Sequence, residues 1–557
     1  MSQLSTAVTA ESTPPPNSGP KEGSGQSAVE RRGGLSRRRA MSRAALAAFA
    51  GLGAAAERWA AASPPSVSAD VDPSSLLRKL VNRITFGFTE SEFALAQSLG
   101  YSGYLEHHLN LGEDGEDPAV AAAIAGSAPP TTGLFPWINA SNGAIREQAV
   151  NVAAGPVTAS VTDATIFRQV FSRRQLHERM VEFWSDHFNI DINIDSCTWL
   201  KLLDDRSVIR PNAMTSFEQL LNASARSAAM LNYLDNDVSR VGALNENYGR
   251  ELLELHSVSV LAGYTQQDVI EVSRCLTGWT WWSRNPPTAD DYGTFRYNAT
   301  LHDNGSKTLS PLFNLNNPGQ PLVIPANGGQ NDAQTVLSIL AAHPSTAGFI
   351  ARKLCTRFIG EDCPQKVVDA VAAAYLSTTP KGDVKTMLRT MLDPNVLADA
   401  TPRIKRPVQL FASAMRSILP GTGNITAFAT LKNQYRSAGQ LHFNWSPPDG
   451  YPDTNEYWTG LLLPRWNFVA SMMTNGGGSN GGINGITVDA AAVNAFFPAQ
   501  TLRDQVIAKI NQSLFGGAWP AAEQNAVRSF LPTSTLTLTQ KRDALSLSLS
   551  SPSFQYI

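Results

Sequence analysis

The sequence has few of the residues that mark several common protein classes. Its 557 residues include only four cysteines, Cys197, Cys275, Cys355 and Cys363, and no two of them form a Cys-x-x-Cys pair. This spacing argues against a zinc ribbon. Cys355 and Cys363 are close enough in the chain to pair in an oxidising compartment, and the sequence leaves open whether they do.

Charge and long apolar runs are also scarce. Charged residues make up 17% of the chain and hydrophobic residues 43%, which excludes a highly charged, disordered protein. No stretch is apolar over the roughly twenty residues that a permanent membrane span needs. Residues 1–62 carry eight Lys and Arg against four acids, so the remainder has 37 basic and 43 acidic residues. Such an acidic body lacks the basic patches that bind phosphate, and we expect no nucleic-acid partner.

The first 62 residues are typical of a polar, disordered region followed by an export signal. Residues 1–30 are rich in Ser, Pro and Gly. Arginines then precede a short apolar run at 44–56 and small residues at 60–62, the order of an export signal. The pair Arg37-Arg38 is similar to a twin-arginine signal. We expect a periplasmic or extracellular protein with a linker at 63–73; the alternative is a disordered basic tail on a cytosolic protein.

From residue 74 to 557 the pattern predicts a mainly α fold, a large single helical domain. Apolar residues recur at helical spacing, and Thr265 with Asp268 is a capping-box signal at a helix start. Residues 279–325 differ, because aromatic and β-branched residues flank the turn signal Asn304-Gly305. We predict a small β-hairpin insertion there. The glycine-rich stretch 474–485 predicts a flexible loop.

The stretch "NENYGRELLELHSVSVLAGYT", residues 245–265, concentrates polar groups on one predicted helix. Asn247, Glu251 and Glu254 fall within about 60° of one another around the helix axis, whereas His256 lies about 160° from Glu254. We therefore predict Glu251 and Glu254 as metal ligands, Asn247 and Arg250 as binding residues, and His256 as a catalytic residue. The alternative is a solvated face of an amphipathic helix.

Two further stretches contain histidine. In "HERMVEFWSDHFNI" (177–190), His187 borders an aromatic stripe that includes Trp184. We predict a catalytic role for His187 and a binding role for Trp184; the alternative is a packed structural helix. In "LHDNGSK", His302 and Asp303 are predicted as catalytic and Lys307 as binding, since reactive groups at loop tips are often functional. The alternative there is an ordinary polar turn.

These stretches together resemble a bacterial family called domain of unknown function 1800. The resemblance covers about residues 76–555 and includes "LLRKLVNRITFGFTESE", "HPSTAGFIARKLCTRFI", "IKRPVQLFASAMRSI" and "QLHFNWSPPDGYP". The family's hallmark positions correspond to Asn245, Glu246, Asn247, Tyr248, Arg250, Glu251, Glu254, His256, Trp184, His187, Phe188, His302, Asp303, Gly305 and Lys307. The proline loop departs from the family pattern, because "PPDGYP" is shortened.

The resemblance implies an exported, mostly helical protein and supplies no activity. Family members often lie beside genes for an exported protein similar to the alkaline phosphatase and sulfatase superfamily, which suggests such a partner. Two hypotheses follow. The first is a metal-dependent hydrolase of an envelope or extracellular polymer, with Glu251 and Glu254 holding a divalent cation and a histidine as base or further ligand. The second is a non-catalytic binding or scaffold protein that uses the tryptophans of 279–282.

Overall fold

The computed structural model describes residues 73–125, 133–474 and 482–557. These residues all fall in one compact unit, and helices dominate it, which confirms the mainly α prediction. The predicted export signal, nearly all of the predicted linker and most of the glycine-rich loop lie outside the described residues. None of the described helices is long and apolar enough to cross a membrane.

Helices make up most of the first half of the described chain. Their bounds are α1 Pro73–Ile84, α2 Glu90–Asn110, α3 Pro118–Ala125, α4 Asn142–Arg146, α5 Gly155–Phe171, α6 Gln175–His187, α7 Cys197–Asp204, α8 Arg210–Asn212, α9 Phe217–Ala225, α10 Ala228–Tyr233, α11 Asn247–Glu254 and α12 Gln266–Leu276. Two π-helical turns, Glu147–Val152 and Asp205–Ile209, continue α4 and α7. The capping box predicted at Thr265 and Asp268 is present at the start of α12.

Helices also fill the second half. Their bounds are α13 Gln330–Ala342, α14 Pro344–Phe358, α15 Gln365–Ser377, α16 Val384–Met391, α17 Pro394–Ala398, α18 Pro407–Ile418, α19 Ala429–Ser437, α20 Asn455–Thr459, α21 Leu462–Met473, α22 Ala490–Phe496, α23 Arg503–Phe515, α24 Ala521–Phe530, α25 Leu538–Leu549 and α26 Pro552–Gln555. Proline occupies the first turn of several of them, where its missing N–H costs nothing.

The predicted β insertion is present but is built differently. Strand β1 Trp279–Trp281 pairs antiparallel with β2 Phe295–Tyr297, and β3 Lys307–Leu309 pairs antiparallel with β4 Leu322–Ile324. The Asn304-Gly305 pair lies between β2 and β3, which do not pair with each other, so it does not turn a hairpin. Neither residue has the positive φ that the tight hairpin turn requires. The side chain of Asp303 accepts from the Gly305 N–H instead.

Buried ion pairs hold the loop before α20 against three other segments. Asp453 accepts from Arg357 of α14 at 2.7 Å, and it also lies 3.3 Å from both Arg403 and Arg406. Asp186 of α6 accepts from Arg357 at 2.8 Å and from Arg406 at 2.7 Å. We call these five residues the arginine cluster. It fixes the end of α6, the face of α14 and the start of α18 relative to one another.

Candidate functional site

The end of α6 brings His187 beside Lys353 of α14. Lys353 Nζ lies 3.1 Å from His187 Nδ1, and His187 Nε2 lies 3.3 Å from the carbonyl oxygen of His256. Burial holds the pKa of His187 well below its usual range, and the nearby charge of Lys353 lowers it further. His187 is therefore neutral, with Nε2–H donating to the His256 carbonyl and Nδ1 accepting from Lys353.

His256 joins this pair through its ring as well as its carbonyl. The ring centroids of His187 and His256 are 6.1 Å apart, and the His256 side chain is fully buried. Among the described residues, neither ring nitrogen of His256 has a hydrogen-bond partner. Burial lowers the pKa of His256 to about 3, again helped by Lys353. The structure thus brings together two of the predicted catalytic histidines, although the predicted roles themselves stay predictions.

Lys353 is the residue that the sequence did not indicate. Burial lowers its pKa from 10.5 to about 8, against the opposing attraction of Asp453 and Asp186. Both of those carboxylates bind arginines of the arginine cluster. Within the described part of the chain, no carboxylate lies within ion-pair distance of Lys353, and its one side-chain partner is the neutral imidazole of His187. A desolvated amine with a perturbed pKa is a frequent feature of functional sites.

Carboxylates of α11 lie within electrostatic range of the same region. Glu251 is partly buried, and its pKa is raised by burial and then by repulsion from Glu254, with a smaller contribution from Asp449. Asp449 also acts on Lys353, so it links the two groups electrostatically. Tyr264 donates to Glu254 across 3.3 Å. The polar face of α11 is therefore neither fully buried nor freely solvated.

The side chains of this stretch do not fit a metal ion by themselves. Across residues 73–125, 133–474 and 482–557 no three His, Cys, Asp or Glu side chains are arranged to hold one. Glu251 and Glu254 supply two carboxylates, while the ring nitrogens of His187 are engaged with Lys353 and with the His256 carbonyl. The metal-ligand role of the two glutamates stays a prediction.

The other residues predicted on α11 make surface contacts. Asn247 is exposed, and its backbone N–H donates to the side chain of Asn245. Arg250 bonds to Glu246 at 3.3 Å and to Gln266 at 3.0 Å. These contacts connect the start of α11 to the start of α12 and leave the predicted binding roles untested.

Trp184 is in the core rather than in an open site. Its side chain is fully buried, and its indole N–H donates to the carbonyl of Ala213 at 3.0 Å. The ring contacts both Phe183 and His187, which helps to hold the imidazole in place. The contacts show a packing role; a binding role stays a prediction.

His302 and its neighbours form a separate, closed cluster. His302 Nδ1 donates to the carbonyl of Thr277 at 2.8 Å, and Nε2 lies 3.1 Å from Asp332. Lys307 forms a buried ion pair with the same Asp332. The side chains of His302 and Lys307 are fully buried, so this cluster attaches the insertion to α13.

Asp303 has a similar anchoring contact. Its carboxylate receives two hydrogen bonds from Arg274 of α12, at 2.8 and 3.2 Å. This fork holds the pKa of Asp303 at about 2. The catalytic roles predicted for His302 and Asp303 and the binding role predicted for Lys307 are not tested by these contacts, all of which are intramolecular.

The shortened proline loop is flanked by an aromatic rim, which consists of Trp445 just before the loop and Tyr457 on α20. Gly450 adopts a φ of 78° and packs so closely on the backbone of Asp186 that a Cβ would lie 2.1 Å from its oxygen. This contact seats the loop on the end of α6. Trp445 donates to Asp449 at 2.8 Å and contacts the ring of Tyr457, whose side chain is 42% exposed.

The sequence does not predict a role for Lys353, because its partner is remote in the chain. His187 and Lys353 are 166 positions apart. Helical periodicity places Phe349, Lys353 and Arg357 along one face of α14, since they recur every fourth residue. The two basic residues on this face of α14 indicate that it contacts other polar groups. The pattern does not identify His187 as the residue that Lys353 contacts.

A comparison with family models identifies the chain's relatives. The model described as protein of unknown function (DUF1800) matches residues 79–556, most of the sequence. Neither the comparison with curated proteins nor that with solved structures gives a match. The region matched includes every residue of the site described above, and the resemblance seen in the sequence is confirmed: the chain belongs to the DUF1800 family.

Proposed function

We propose that this protein is an exported hydrolase of an envelope or extracellular polymer, with Lys353 and His187 as its acid–base pair. The observation that carries the proposal is a desolvated lysine whose one hydrogen-bonding side chain is a neutral imidazole 3.1 Å away. A pKa of about 8 lets the amine exchange protons near neutral pH. Lys353 is only partly exposed, and its amine has no carboxylate within ion-pair distance among the described residues.

The chemistry follows from the hydrogen bonds of the pair. The unprotonated amine of Lys353 accepts a proton from the attacking water, and the resulting ammonium returns a proton to the leaving group. His187 orients the amine because its Nε2–H is held by the His256 carbonyl, which keeps the Nδ1 lone pair directed at Lys353. The buried ring of His256 packs against His187 and keeps water from that side.

The aromatic rim supports a polymer substrate. Trp445 is partly buried and Tyr457 is exposed, and the two rings are 6.2 Å apart beside Asp449. Aromatic faces next to hydrogen-bonding carboxylates suit the alternating apolar and polar surfaces of sugar rings. A polymer bound on this rim would lie next to the proline loop, which packs against the end of α6 that carries His187.

A metal-dependent form of the proposal would use Glu251 and Glu254 as ligands for a divalent cation. Because these residues need at least one further donor, that donor would come from the substrate or from outside the described residues. The acid–base role of Lys353 does not depend on this addition.

A non-catalytic scaffold that works with an exported sulfatase-like partner is the second candidate. This candidate is favoured because the side chains of His302, Asp303 and Lys307 bind other residues of the chain and hold the insertion in place. It is not favoured by the tryptophans predicted to bind glycan, since Trp279 and Trp281 are buried.

The function is tested by hydrolysis assays on the purified chain. We would incubate it with chromogenic esters, glycosides and phosphates and with isolated envelope polysaccharide, and compare Lys353→Met. Loss of a general acid–base group lowers the rate about 10²- to 10⁴-fold. The matched control is Lys385→Met, because Lys385 is also a partly exposed lysine and its amine donates to Asn110, away from this pair. Hydrolysis that Lys353→Met retains in full would contradict the proposal.

Export is tested separately. N-terminal sequencing of secreted protein should give a start near Ser63, and replacing Arg37 and Arg38 with Lys should block export if the twin-arginine route is used. Secreted protein that retains residues 1–30 would contradict a cleaved signal.

A further inference from the structure

An open cavity lies between α2, α18, α22 and α23. Its volume is about 490 Å³, which is within the range of pockets that hold small molecules. The residues that line it, all in the described part of the chain, come from the start of α2, the end of α18 and the loop after it, α22 and α23. None of them belongs to the Lys353–His187 pair or to the arginine cluster. The cavity is therefore a second candidate site.

Arg416 of α18 lines this cavity and has unused hydrogen-bonding capacity. Its side chain is only 7% exposed, and its Nη1 donates to the carbonyl of Val170 at 3.0 Å. Its Nη2 lies 3.7 Å from a carboxylate oxygen of Glu92, which is too far for a hydrogen bond. Its Nε has no hydrogen-bond partner among the described residues. The guanidinium can therefore donate to a ligand without losing a contact within the protein.

A buried network holds the carboxylate behind Arg416. Glu92 Oε1 accepts from the hydroxyl of Tyr104 at 2.9 Å and lies 2.9 Å from His108 Nε2. The other oxygen, Oε2, is the one that faces Arg416. These contacts fix the carboxylate, whose attraction then limits the movement of the guanidinium. A side chain that is already held in place loses less conformational entropy when it binds a ligand.

Helix α2 begins at the same cavity and supplies backbone donors. Thr89 caps the helix, and its side chain accepts from the N–H of Glu92 at 3.2 Å. The N–H groups of the two residues between them, Glu90 and Ser91, belong to the first helical turn and have no acceptor within the helix. Together with the helix dipole, they favour a negatively charged group at this end of the cavity.

The remaining lining limits the charge of a ligand and favours an apolar body. Lys509 of α23 pairs with Glu90 at 2.6 Å, and Ser513 donates to the same carboxylate at 3.0 Å. Because Glu90 and Glu92 are both close, an anion with one charge is favoured over one with two. The apolar residues of the lining include Ile418, Leu419, Ala492, Ala495 and Phe496.

We propose that this cavity binds a small amphipathic carboxylic acid. Its carboxylate accepts hydrogen bonds from Arg416 and from the N–H groups of Glu90 and Ser91. Its apolar tail packs against α22 and the end of α18, where Leu419 and Phe496 line the cavity. The inference goes beyond the proposed hydrolase function and does not depend on it.

Binding is tested with hexanoate, hexanol and acetate, by ligand-observed NMR on the full-length chain. Hexanoate has both a carboxylate and an apolar tail, whereas each of the other probes lacks one of them. We expect a Kd of about 1 mM for hexanoate and binding of the other two that is at least about tenfold weaker. Hexanol that binds as tightly as hexanoate would show that the carboxylate is not recognised, and this result would overturn the proposal.

Ser91→Asp separates binding from folding. Ser91 is exposed in the first turn of α2, where a negative charge stabilises a helix, so the variant should be at least as stable as wild type. Its carboxylate repels that of hexanoate, and we expect binding to weaken about tenfold or more. Ser98→Asp makes the same change at an exposed position about two turns further along the helix and should bind like wild type. Equal binding by the two variants would overturn the proposal.

Arg416→Gln tests the guanidinium itself. Loss of hydrogen bonds to a charged group should weaken hexanoate binding about 10- to 100-fold, whereas Arg436→Gln, at an exposed arginine, should have no effect. Circular dichroism shows whether each variant is folded. A folded Arg416→Gln variant that binds like wild type would contradict the proposal, and if this variant does not fold, Ser91→Asp decides. None of these measurements depends on whether the protein hydrolyses a polymer.

Discussion

When the protein folds, the amine of Lys353 loses contacts with water and hydrogen-bonds to the imidazole of His187. This change in surroundings lowers the pKa of the amine. Its pKa is about 8 in the folded protein and 10.5 for an ordinary lysine, so the unfolded chain binds more protons between these values. The charged amine therefore lowers stability in full below about pH 8. This loss diminishes as the pH rises from 8 toward 10.5. Because the buried amine lowers the free energy of unfolding, a catalytic role explains Lys353 better than a stabilising role does.

Lys353→Met should therefore stabilise the protein. We expect the free energy of unfolding to increase by about 1 to 3 kcal/mol at pH 7, because an amine that is costly to desolvate is replaced by an apolar group. The gain should shrink at pH 10. Urea denaturation of variant and wild type at both values measures it, with Lys385→Met as the unchanged control. A variant less stable than wild type at pH 7 would show that Lys353 is structural.

Among the individual residues of the site, the sequence predicted some and missed others. His187 and His256 were both predicted as catalytic, and the folded chain places their rings 6.1 Å apart. The helix rotation also placed Glu251 and Glu254 on one face correctly, since that depends only on local geometry. Lys353 and Asp453 could not be identified, because their roles arise from burial and from contacts between segments remote in the chain.

The insertion is attached to the helices by buried polar contacts. The carboxylate of Asp332 on α13 pairs with Lys307 and lies beside His302, and all three side chains are essentially inaccessible to water. Removing one partner of such a pair leaves an uncompensated buried charge.

Asp332→Asn should therefore destabilise the protein strongly. It keeps the shape of the side chain but leaves the Lys307 ammonium without its carboxylate, which we expect to cost about 3 to 5 kcal/mol of unfolding free energy. Chemical denaturation measures the loss, and Asp290→Asn on an exposed turn is the control. If Asp332→Asn unfolds like wild type, the cluster does not anchor the insertion.

Elements with strong local signals were predictable. Thr265 and Asp268 begin α12 as expected, because a capping box depends only on neighbouring residues. The Asn304-Gly305 turn failed as a prediction because the segments that it joins pair with other strands. Which strands pair depends on contacts between residues distant in the chain. A two-residue turn signal does not determine that pairing when the insertion contains several strands.

The arginine cluster joins distant parts of the whole molecule. Asp453 meets Arg357, Arg403 and Arg406, and these cations hold its pKa well below its usual range. Because the folded pKa is depressed, the carboxylate contributes stability above its ordinary value near pH 4. That contribution is lost as the pH falls further, through the folded pKa.

Asp453→Asn should lower the unfolding free energy by about 3 kcal/mol at pH 7, since it leaves buried guanidinium groups without their shared carboxylate. The difference from wild type should narrow below about pH 4, because there the unfolded wild-type chain takes up a proton on Asp453 that the folded protein does not. Denaturant titrations at pH 7 and pH 3 check both statements. A constant difference across this range would mean that packing, not charge, accounts for the effect.

Titration of Lys353 in the folded protein decides whether its amine exchanges protons near neutral pH. Brief acetylation of the native full-length chain at a series of pH values, followed by peptide mass spectrometry, gives the reactivity of each lysine. After correction for accessibility at the highest pH, Lys353 should reach half its maximal reactivity near pH 8. Lys385, which is partly exposed like Lys353, serves as the internal reference. A Lys353 midpoint at or above the ordinary value of 10.5 would show that the folded protein does not lower the pKa of this amine.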